Sequence, residues 1–368
     1  MVSLIPRALL STAVAVALTG ATVSAAQAGQ SAQAGPREPR TERVSTAGDG
    51  AQADGPSGGA GISADGRYVA FSSTAESFGC APFFPCLRVK DLATGELTRI
   101  DLGSGYRHGS PLLSADGGRI AYTAGTRFDA PYLYDRATGE SERLWPENPP
   151  GSNELGAAAS ISPDGTHVAY TIGNRHGNQG SRLLYVRDTA NGTDELISPA
   201  EEGWKGAASV SGDGSRVAYQ TGGVGDGPDD TADLFVKDRT TGERTQLDAG
   251  LGAGELVRVT ASGRRVLFNA QGGLYVHDVR TGESRRVAEG RARSATDDGR
   301  HVLLAEAAGL RVLDLRTGRS TAAGPPGAQA GRGALAAKGL AVAFSSEAAD
   351  LVPGDTNGTA DVFVRRTH

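Results

Sequence analysis

A nine-residue signature recurs seven times between residues 63 and 344, and it constrains the fold more than any other feature of the chain. Each copy places a glycine between two strand-like runs, and an aspartate precedes that glycine in five copies. The copies are SADGRYVAF (63–71), SADGGRIAY (114–122), SPDGTHVAY (162–170), SGDGSRVAY (211–219), TASGRRVLF (260–268), TDDGRHVLL (296–304) and AAKGLAVAF (336–344). Asp-Gly in this setting predicts a tight β-hairpin, because the turn needs a positive φ that glycine adopts without penalty.

A second signature follows the first in six of the seven copies. It joins a strand-like run to an aspartate, a turn with glycine four residues later, and another strand-like run, as in VKDRTTGE (236–243) and VHDVRTGE (276–283). Each repeat therefore predicts four short antiparallel strands, A to D, with tight A–B and C–D turns. A four-stranded sheet with two apolar faces needs a neighbour on each side, and radial stacking of sheets in a ring supplies both.

We predict an all-β fold, a seven-bladed β-propeller that spans residues 40–368, with about 47 residues per repeat. The seventh copy ends at His368, before its own strand D. The segment RTERVS (40–45) is similar to strand D of another repeat, GERTQL (242–247). We expect this N-terminal strand to pair with DVFVRRT (361–367) and close the ring, because closure removes unpaired strand edges. A six-bladed ring with one atypical unit is the alternative.

The two signatures resemble those of the TolB-like, WD-repeat-like propeller family. In that family an SPDG turn is followed by a strand that ends in an aromatic residue, and then by a Y-V-x-D-x-x-T-G-E segment. The resemblance covers nearly the whole of residues 40–368 and implies the propeller fold. Members of the family serve as envelope adaptors, substrate-gating domains and sensors. This chain departs from the pattern at Ser262 and Lys338, which stand at the aspartate position, and in the Gly- and Pro-rich link 324–333.

The N-terminal residues 1–28 have the features of a secretory signal peptide. Arg7 precedes the apolar run ALLSTAVAVALTGATV (8–23), and small residues lead to a predicted cleavage site after Ala28. The apolar run is too short for a good membrane span. Residues 29–39 predict a flexible leader. We therefore expect a secreted, extracellular or periplasmic protein without a membrane span.

The charge distribution argues against a nucleic-acid partner. The net charge is −5 at pH 7, and both signs are mixed along the chain without a basic stripe.

The two cysteines, Cys80 and Cys86, stand in FGCAPFFPC (78–86). In an oxidising compartment this spacing predicts a local disulfide. A metal or redox pair is the alternative, but two thiols are an incomplete zinc set and no histidine lies within about 20 residues. The same loop carries Phe83 and Phe84, which we include among the candidate binding residues.

Long irregular loops join strands B to C and strands D to A. In a propeller these loops meet at one end, opposite the tight turns, and loops on a rigid scaffold commonly carry binding residues. Trp145 and Trp204 both fall in D–A links. Two interpretations are open for them. Each tryptophan either contacts a ligand or partner, as tryptophans at hot spots do, or fills the gap between adjacent blades.

One acidic segment, GDTNGTAD (354–361), offers Asp355, Asn357 and Asp361 as oxygen ligands at a calcium-like spacing. The helix–loop–helix calcium site needs a carboxylate where Arg366 stands, and Asn-Gly also suits a plain turn, so calcium and turn are both open. We expect no other cofactor.

We find no catalytic constellation in the sequence. GPSGG (55–59) fits the spacing of a nucleophile elbow but lacks its strand–turn–helix context, and the six histidines are scattered. We therefore predict a secreted, non-catalytic propeller that binds a protein or cell-envelope component through its long-loop end. One alternative is a propeller enzyme, a lyase or lactone hydrolase with a loop metal. The other is a sensor that stacks a glycan or small ligand on Trp145 and Trp204.

Overall fold

The structure is a computed structural model. It describes residues 40–81, 83–100, 102, 107–149, 155–173, 182–198, 205–222 and 233–367. The predicted signal peptide and leader lie outside these ranges. The described residues form β-strands in seven antiparallel sheets, with only single-turn 3-10 segments at Glu76–Phe78 and Ala337–Gly339. None of the helices in these ranges is long and apolar enough to cross a membrane.

Six sheets form blades 1 to 6, and the first strand of each lies nearest the centre of the ring. Blade 1 contains β2 (Ser57–Ile62), β3 (Tyr68–Ser73), β4 (Cys86–Asp91) and β5 (Leu97–Arg99). Blade 2 contains β6 (Arg107–His108), β7 (Leu112–Leu113), β8 (Arg119–Gly125), β9 (Asp129–Asp135) and β10 (Glu140–Arg143). Its first strand is split into β6 and β7, which both pair with β8.

The next four blades repeat the four-stranded order. Blade 3 contains β11 (Leu155–Ile161), β12 (His167–Gly173), β13 (Arg182–Asp188) and β14 (Thr193–Ser198). Blade 4 contains β15 (Lys205–Val210), β16 (Arg216–Thr221), β17 (Leu234–Asp238) and β18 (Arg244–Gln246). Blade 5 contains β19 (Glu255–Val259), β20 (Arg265–Ala270), β21 (Gly273–Asp278) and β22 (Glu283–Glu289). Blade 6 contains β23 (Arg291–Ala295), β24 (His301–Glu306), β25 (Gly309–Asp314) and β26 (Ser320–Gly324).

Blade 7 closes the ring with strands from both ends of the chain. β27 (Ala341–Ser346) pairs with β28 (Asp361–Arg366), and β28 pairs with β1 (Arg40–Arg43). The inner position is filled by the Gly- and Pro-rich link, which reaches β27 through isolated bridges at Gln329 and Leu335. The predicted seven blades and the predicted N-terminal closing strand are both confirmed.

The residue that ends each predicted strand B forms a buried column between the blades. Tyr122, Tyr170, Tyr219 and Phe268 are at most 1% exposed, and most members of the column stack against an aromatic residue of strand C with centroids 5.5–5.9 Å apart. Burial of side chains of this size dominates the stability of each interface between blades.

The repeated glycines of the A–B turns have a second role besides turn formation. Gly214 has a φ of +70°, and a Cβ there would overlap the imidazole ring of His167 in the preceding blade. Gly117 faces Tyr68 in the same manner. The glycine column therefore lets the tight turn of one blade pack directly onto the previous blade.

Backbone hydrogen bonds also join successive A–B turns. The Asp65 N–H donates to the Ala115 carbonyl, and the Ala115 N–H donates to the Pro163 carbonyl. The Ala337 N–H donates to Ala64, so blade 7 is tied to blade 1 at this end.

Candidate functional site

The tight-turn end of the propeller uses its acidic side chains within its own turns. Asp116 accepts hydrogen bonds from the Gly118 N–H at 2.8 Å and from the Ser114 hydroxyl at 2.7 Å. These two bonds hold the pKa of the Asp116 carboxyl below its ordinary value. Asp135, in the C–D turn, accepts from the Ala137 N–H. The repeated aspartates therefore stabilise the turns.

The B–C loop of blade 1 is a closed, braced structure at the long-loop end. Cys80 and Cys86 form a disulfide with Cα atoms 5.3 Å apart, as predicted from their spacing. The Phe84 N–H donates to the Ala81 carbonyl and closes a turn at the tip. Beside the loop, His108 Nδ1 donates to the Pro85 carbonyl at 2.7 Å, which links the loop to blade 2.

Phe83 is displayed at the tip of this loop. Its side chain is 91% exposed and its φ is +68°, in the left-handed region that favours glycine. Such a conformation costs a non-glycine residue on the order of 1–3 kcal/mol. Phe84 beside it is 40% exposed. An aromatic side chain that is exposed to this degree contributes little to the buried core.

Of the two tryptophans considered as binding residues, the structure describes one. Trp145 is half-buried against an apolar cluster that contains Leu144 of blade 2 and Ile161 of blade 3. The Arg143 guanidinium lies 4.2 Å from the centre of the Trp145 ring. The backbone carbonyl of Trp145 accepts a hydrogen bond from the Arg187 guanidinium. Trp145 thus occupies the gap between two blades. Trp204 lies outside the described residues, and its role stays a prediction.

The three predicted calcium ligands lie together, and protein donors already contact their oxygens. Asp361 is fully buried and accepts from the Ser45 hydroxyl and the Gln52 carboxamide, both at 2.6 Å. Gln52 also donates to Asp355 at 2.9 Å. Arg43 lies 3.4 Å from an oxygen of Asp355 and 3.5 Å from one of Asp361.

Asn357 completes this group from the same loop. Its carboxamide donates to the Ala53 carbonyl at 3.0 Å and to Asp361 at 3.3 Å. We call Arg43, Ser45, Gln52, Asp355, Asn357 and Asp361 the clasp, because they join the N-terminal segment to blade 7.

The central channel holds a cavity of about 880 Å³ at the long-loop end. Arg332, in the inner segment of blade 7, lines both this cavity and a narrower one of about 70 Å³ further along the channel. Gln220, Glu255 and Arg291 also line the larger cavity. Sequence reasoning did not single out Arg332. The available signal was that it is the only charged residue between Arg319 and Lys338.

Across the described ranges, no cluster of three or more His, Cys, Asp or Glu side chains is arranged to hold a metal ion. The acidic loop that contains Asp226, Asp229 and Asp230 lies outside these ranges.

Comparison with solved structures confirms the fold. An oligogalacturonate lyase in complex with manganese superposes with a TM-score of 0.64 at 15% identity, over 89% of this chain and 93% of that one. An oligogalacturonate lyase from Vibrio parahaemolyticus gives 0.61 at 13% identity, over 89% and 93%. TolB from Acinetobacter baumannii gives 0.45 at 19% identity, over 64% and 58%. No protein-family model and no curated protein matches the sequence.

Proposed function

We propose that the protein is an extracytoplasmic binding propeller that contacts a protein or cell-envelope component through its long-loop end, with Phe83 and Phe84 as the central aromatic contact. The observation that carries the proposal is Phe83, an exposed aromatic side chain on a strained backbone. Aromatic side chains are enriched at protein interfaces, and strained residues cluster at functional sites.

The surrounding loop supports this role. The disulfide, the turn bond between Ala81 and Phe84 and the bond from His108 to Pro85 fix the loop on three sides. A braced loop loses little conformational entropy when it binds, which favours affinity. The disulfide also supports export, because disulfides persist in oxidising compartments. Export through cleavage after Ala28 is part of the proposal.

The test is a cross-linking pull-down from secreted and envelope fractions of the source cells. The bait is the mature protein, residues 29–368, and the variants are Phe83→Gly and Leu340→Ala. Glycine relieves the left-handed strain, so the Phe83→Gly protein should be as stable as the parent or more so. We expect it to lose a partner that the parent captures.

Leu340→Ala is the matched control, because Leu340 is 47% exposed at the opposite, tight-turn end. It should capture the same partner as the parent. The proposal would be contradicted if the Phe83→Gly variant captured the partner as well as the parent does, or if the parent captured no specific partner.

A propeller lyase is the second candidate, and it rests on the two structural neighbours that are named as oligogalacturonate lyases. At 13–15% identity these neighbours share the fold. Within the described ranges, no group of three or more His, Cys, Asp or Glu side chains supports this candidate. Turnover of oligogalacturonate by the purified protein, with and without added manganese, would establish this candidate and overturn a purely binding role.

A further inference from the structure

The central channel widens at the long-loop end because its walls carry little side-chain volume. Among the residues that line the cavity of about 880 Å³, Gly and Ala predominate: Ala158, Ala159, Gly206, Ala207, Ala253, Gly254, Ala270, Gly272, Gly273, Gly290 and Gly331. Ligand cavities of this size are typical of sites for small organic molecules, with a few polar groups that fix orientation. The polar groups are therefore the informative part of the lining.

Arg332 projects from the inner segment of blade 7, between two glycines, into this channel. Its backbone is fixed, because the Ser294 hydroxyl donates to the Arg332 carbonyl at 2.5 Å. Its guanidinium has no hydrogen-bond acceptor or ion-pair partner within the described part of the chain. Burial lowers the pKa of Arg332, and the negative charge of Glu255 opposes that shift. Arg332 is half-buried, and a guanidinium that lines an open cavity without a protein acceptor can donate to an anion that enters the cavity.

Glu255 is the acidic side chain among the described residues of the lining, and its carboxylate already accepts hydrogen bonds. Arg291 donates to its carboxylate at 2.6 Å and Asn269 at 3.1 Å. Asn269 is itself held on both sides by the backbone of Ala292, each bond 2.9 Å long. Among the described lining residues, two arginines and one glutamate give a formal charge of +1, and Arg332 is the arginine that Glu255 does not pair with.

Gln220 supplies a second polar group to the same cavity. It is the penultimate residue of β16 in blade 4 and is only 6% exposed. In the described ranges, its carboxamide has no side-chain hydrogen-bond partner. A carboxamide and a guanidinium that line one cavity, and that make no side-chain hydrogen bond within the described ranges, are both available to one small ligand.

We propose that Arg332 and Gln220 form a binding site for a small organic carboxylate, which enters the central channel from the long-loop end. The planar guanidinium can donate two parallel hydrogen bonds to a carboxylate, and the Gln220 amide can donate another to the ligand. A single net positive charge matches a monoanion, and Glu255 disfavours ions of higher charge such as phosphate. The site stands independently of the proposed Phe83 contact, since it uses none of the same residues.

The test uses acetate and gluconate as probes, each as the sodium salt against sodium chloride at equal ionic strength. The readouts are the thermal midpoint, calorimetric titration and the Arg332 Nε–Hε NMR resonance, assigned by its loss in Arg332→Gln. In the parent protein we expect saturable stabilisation by both carboxylates and a saturable shift of that resonance. Phosphate at the same ionic strength should bind more weakly.

Three variants sharpen the result. Arg332→Gln should weaken carboxylate binding by about tenfold or more, and Gln220→Leu should weaken it by a smaller factor. Arg311→Gln, which removes an arginine paired with Glu306 outside the channel, should leave binding unchanged. In chloride alone, Arg332→Gln should be about as stable as the parent, because the half-buried guanidinium makes no ion pair within the described part of the chain.

Two results would overturn the site. One is a parent protein with no saturable, Arg332-dependent response to either carboxylate. The other is a fall of more than about 4 °C in the unliganded midpoint of Arg332→Gln, which would make Arg332 a structural residue.

Discussion

The Ser45 hydroxyl donates a 2.6 Å hydrogen bond to Asp361 Oδ1, although the two residues are separated by 316 positions in the sequence. Ser45 Oγ in turn accepts from the Val362 N–H at 3.1 Å, and the Val44 N–H donates to the Val362 carbonyl at 2.8 Å. Ring closure therefore depends on a buried side-chain network in addition to the backbone pairing of β1 with β28.

A nearly isosteric substitution in the clasp, Asp361→Asn, should lower the stability of the fold by a large amount. Asp361→Asn removes one of the two carboxylates beside Arg43, whose side chain is only 9% exposed, and weakens the hydrogen bonds that Asp361 accepts from Ser45 and Gln52. We expect a loss of about 3 kcal/mol in the free energy of unfolding, measured by urea denaturation. Asp350→Asn, at an exposed position in the same blade connection, is the control and should change stability by less than about 0.5 kcal/mol. Equal stability of the two variants would contradict a structural role for the clasp.

Two turn glycines allow the cost of backbone strain to be measured separately from the cost of a clash between blades. Gly214 and Gly242 both have positive φ, +70° and +78°, but only at Gly214 would a Cβ overlap a neighbouring blade. Gly242→Ala should therefore cost about 1 kcal/mol, from backbone strain alone. Gly214→Ala should cost about 2 kcal/mol more, because the His167 ring must move. If both variants lose the same free energy of unfolding in chemical denaturation, the close contact between blades at Gly214 contributes nothing to stability.

Acid should destabilise the propeller through its turn aspartates. The Arg67 guanidinium lowers the pKa of Asp91 to about 2, and Arg300 lowers the pKa of Asp314 in the same manner. A carboxyl with a depressed native pKa contributes stability above its unfolded value, near 3.8, and loses it as the pH falls toward the native value. We expect the urea midpoint to fall between about pH 4 and pH 2. Asp91→Asn should have a lower midpoint at pH 6 and a smaller further decrease on acidification; an identical pH dependence would contradict the assignment.

The fold could be predicted because its determinants are local and repeated. Each Asp-Gly and Thr-Gly turn sets a hairpin through its own backbone, and the aromatic column marks the buried face, so the blades follow from short windows of sequence. The closing strand was recognisable because RTERVS repeats the pattern of other D strands.

The candidate sites depend on contacts between distant segments, which a short window does not contain. Neither Gln52 nor Arg43 has a sequence feature that identifies Asp355 and Asp361 as its partners. Arg332 lies in an irregular link, and its position in the central channel is set by the surrounding blades. The left-handed backbone of Phe83 is likewise a property of the folded loop, since phenylalanine rarely adopts it.

The clasp also predicts the response to calcium. A calcium ion at Asp355 and Asp361 would have to displace the Arg43 guanidinium and the Gln52 carboxamide, which already contact these oxygens. We therefore expect that millimolar calcium chloride does not raise the thermal midpoint above its value in magnesium chloride of equal concentration. A saturable increase with calcium, lost in Asp355→Asn, would revive the calcium site.

The disulfide of the Phe83 loop should stabilise the loop more than the propeller. In the chain-entropy view, closure of so short a loop stabilises the fold by about 2 kcal/mol, and the double variant Cys80→Ala/Cys86→Ala should lose roughly that amount. The blade itself should persist, because β3 and β4 pair over six residues without the disulfide. Limited proteolysis should then cut the variant within residues 79–85 faster than it cuts the parent, while the β-sheet circular dichroism signal stays the same.

In the parent, neither cysteine should react with a thiol reagent until a reductant is added. Global unfolding of the variant would instead make the disulfide a requirement for the whole ring, and resistance of its loop to protease would show that the contact from His108 to Pro85 is sufficient to hold Phe83 in place.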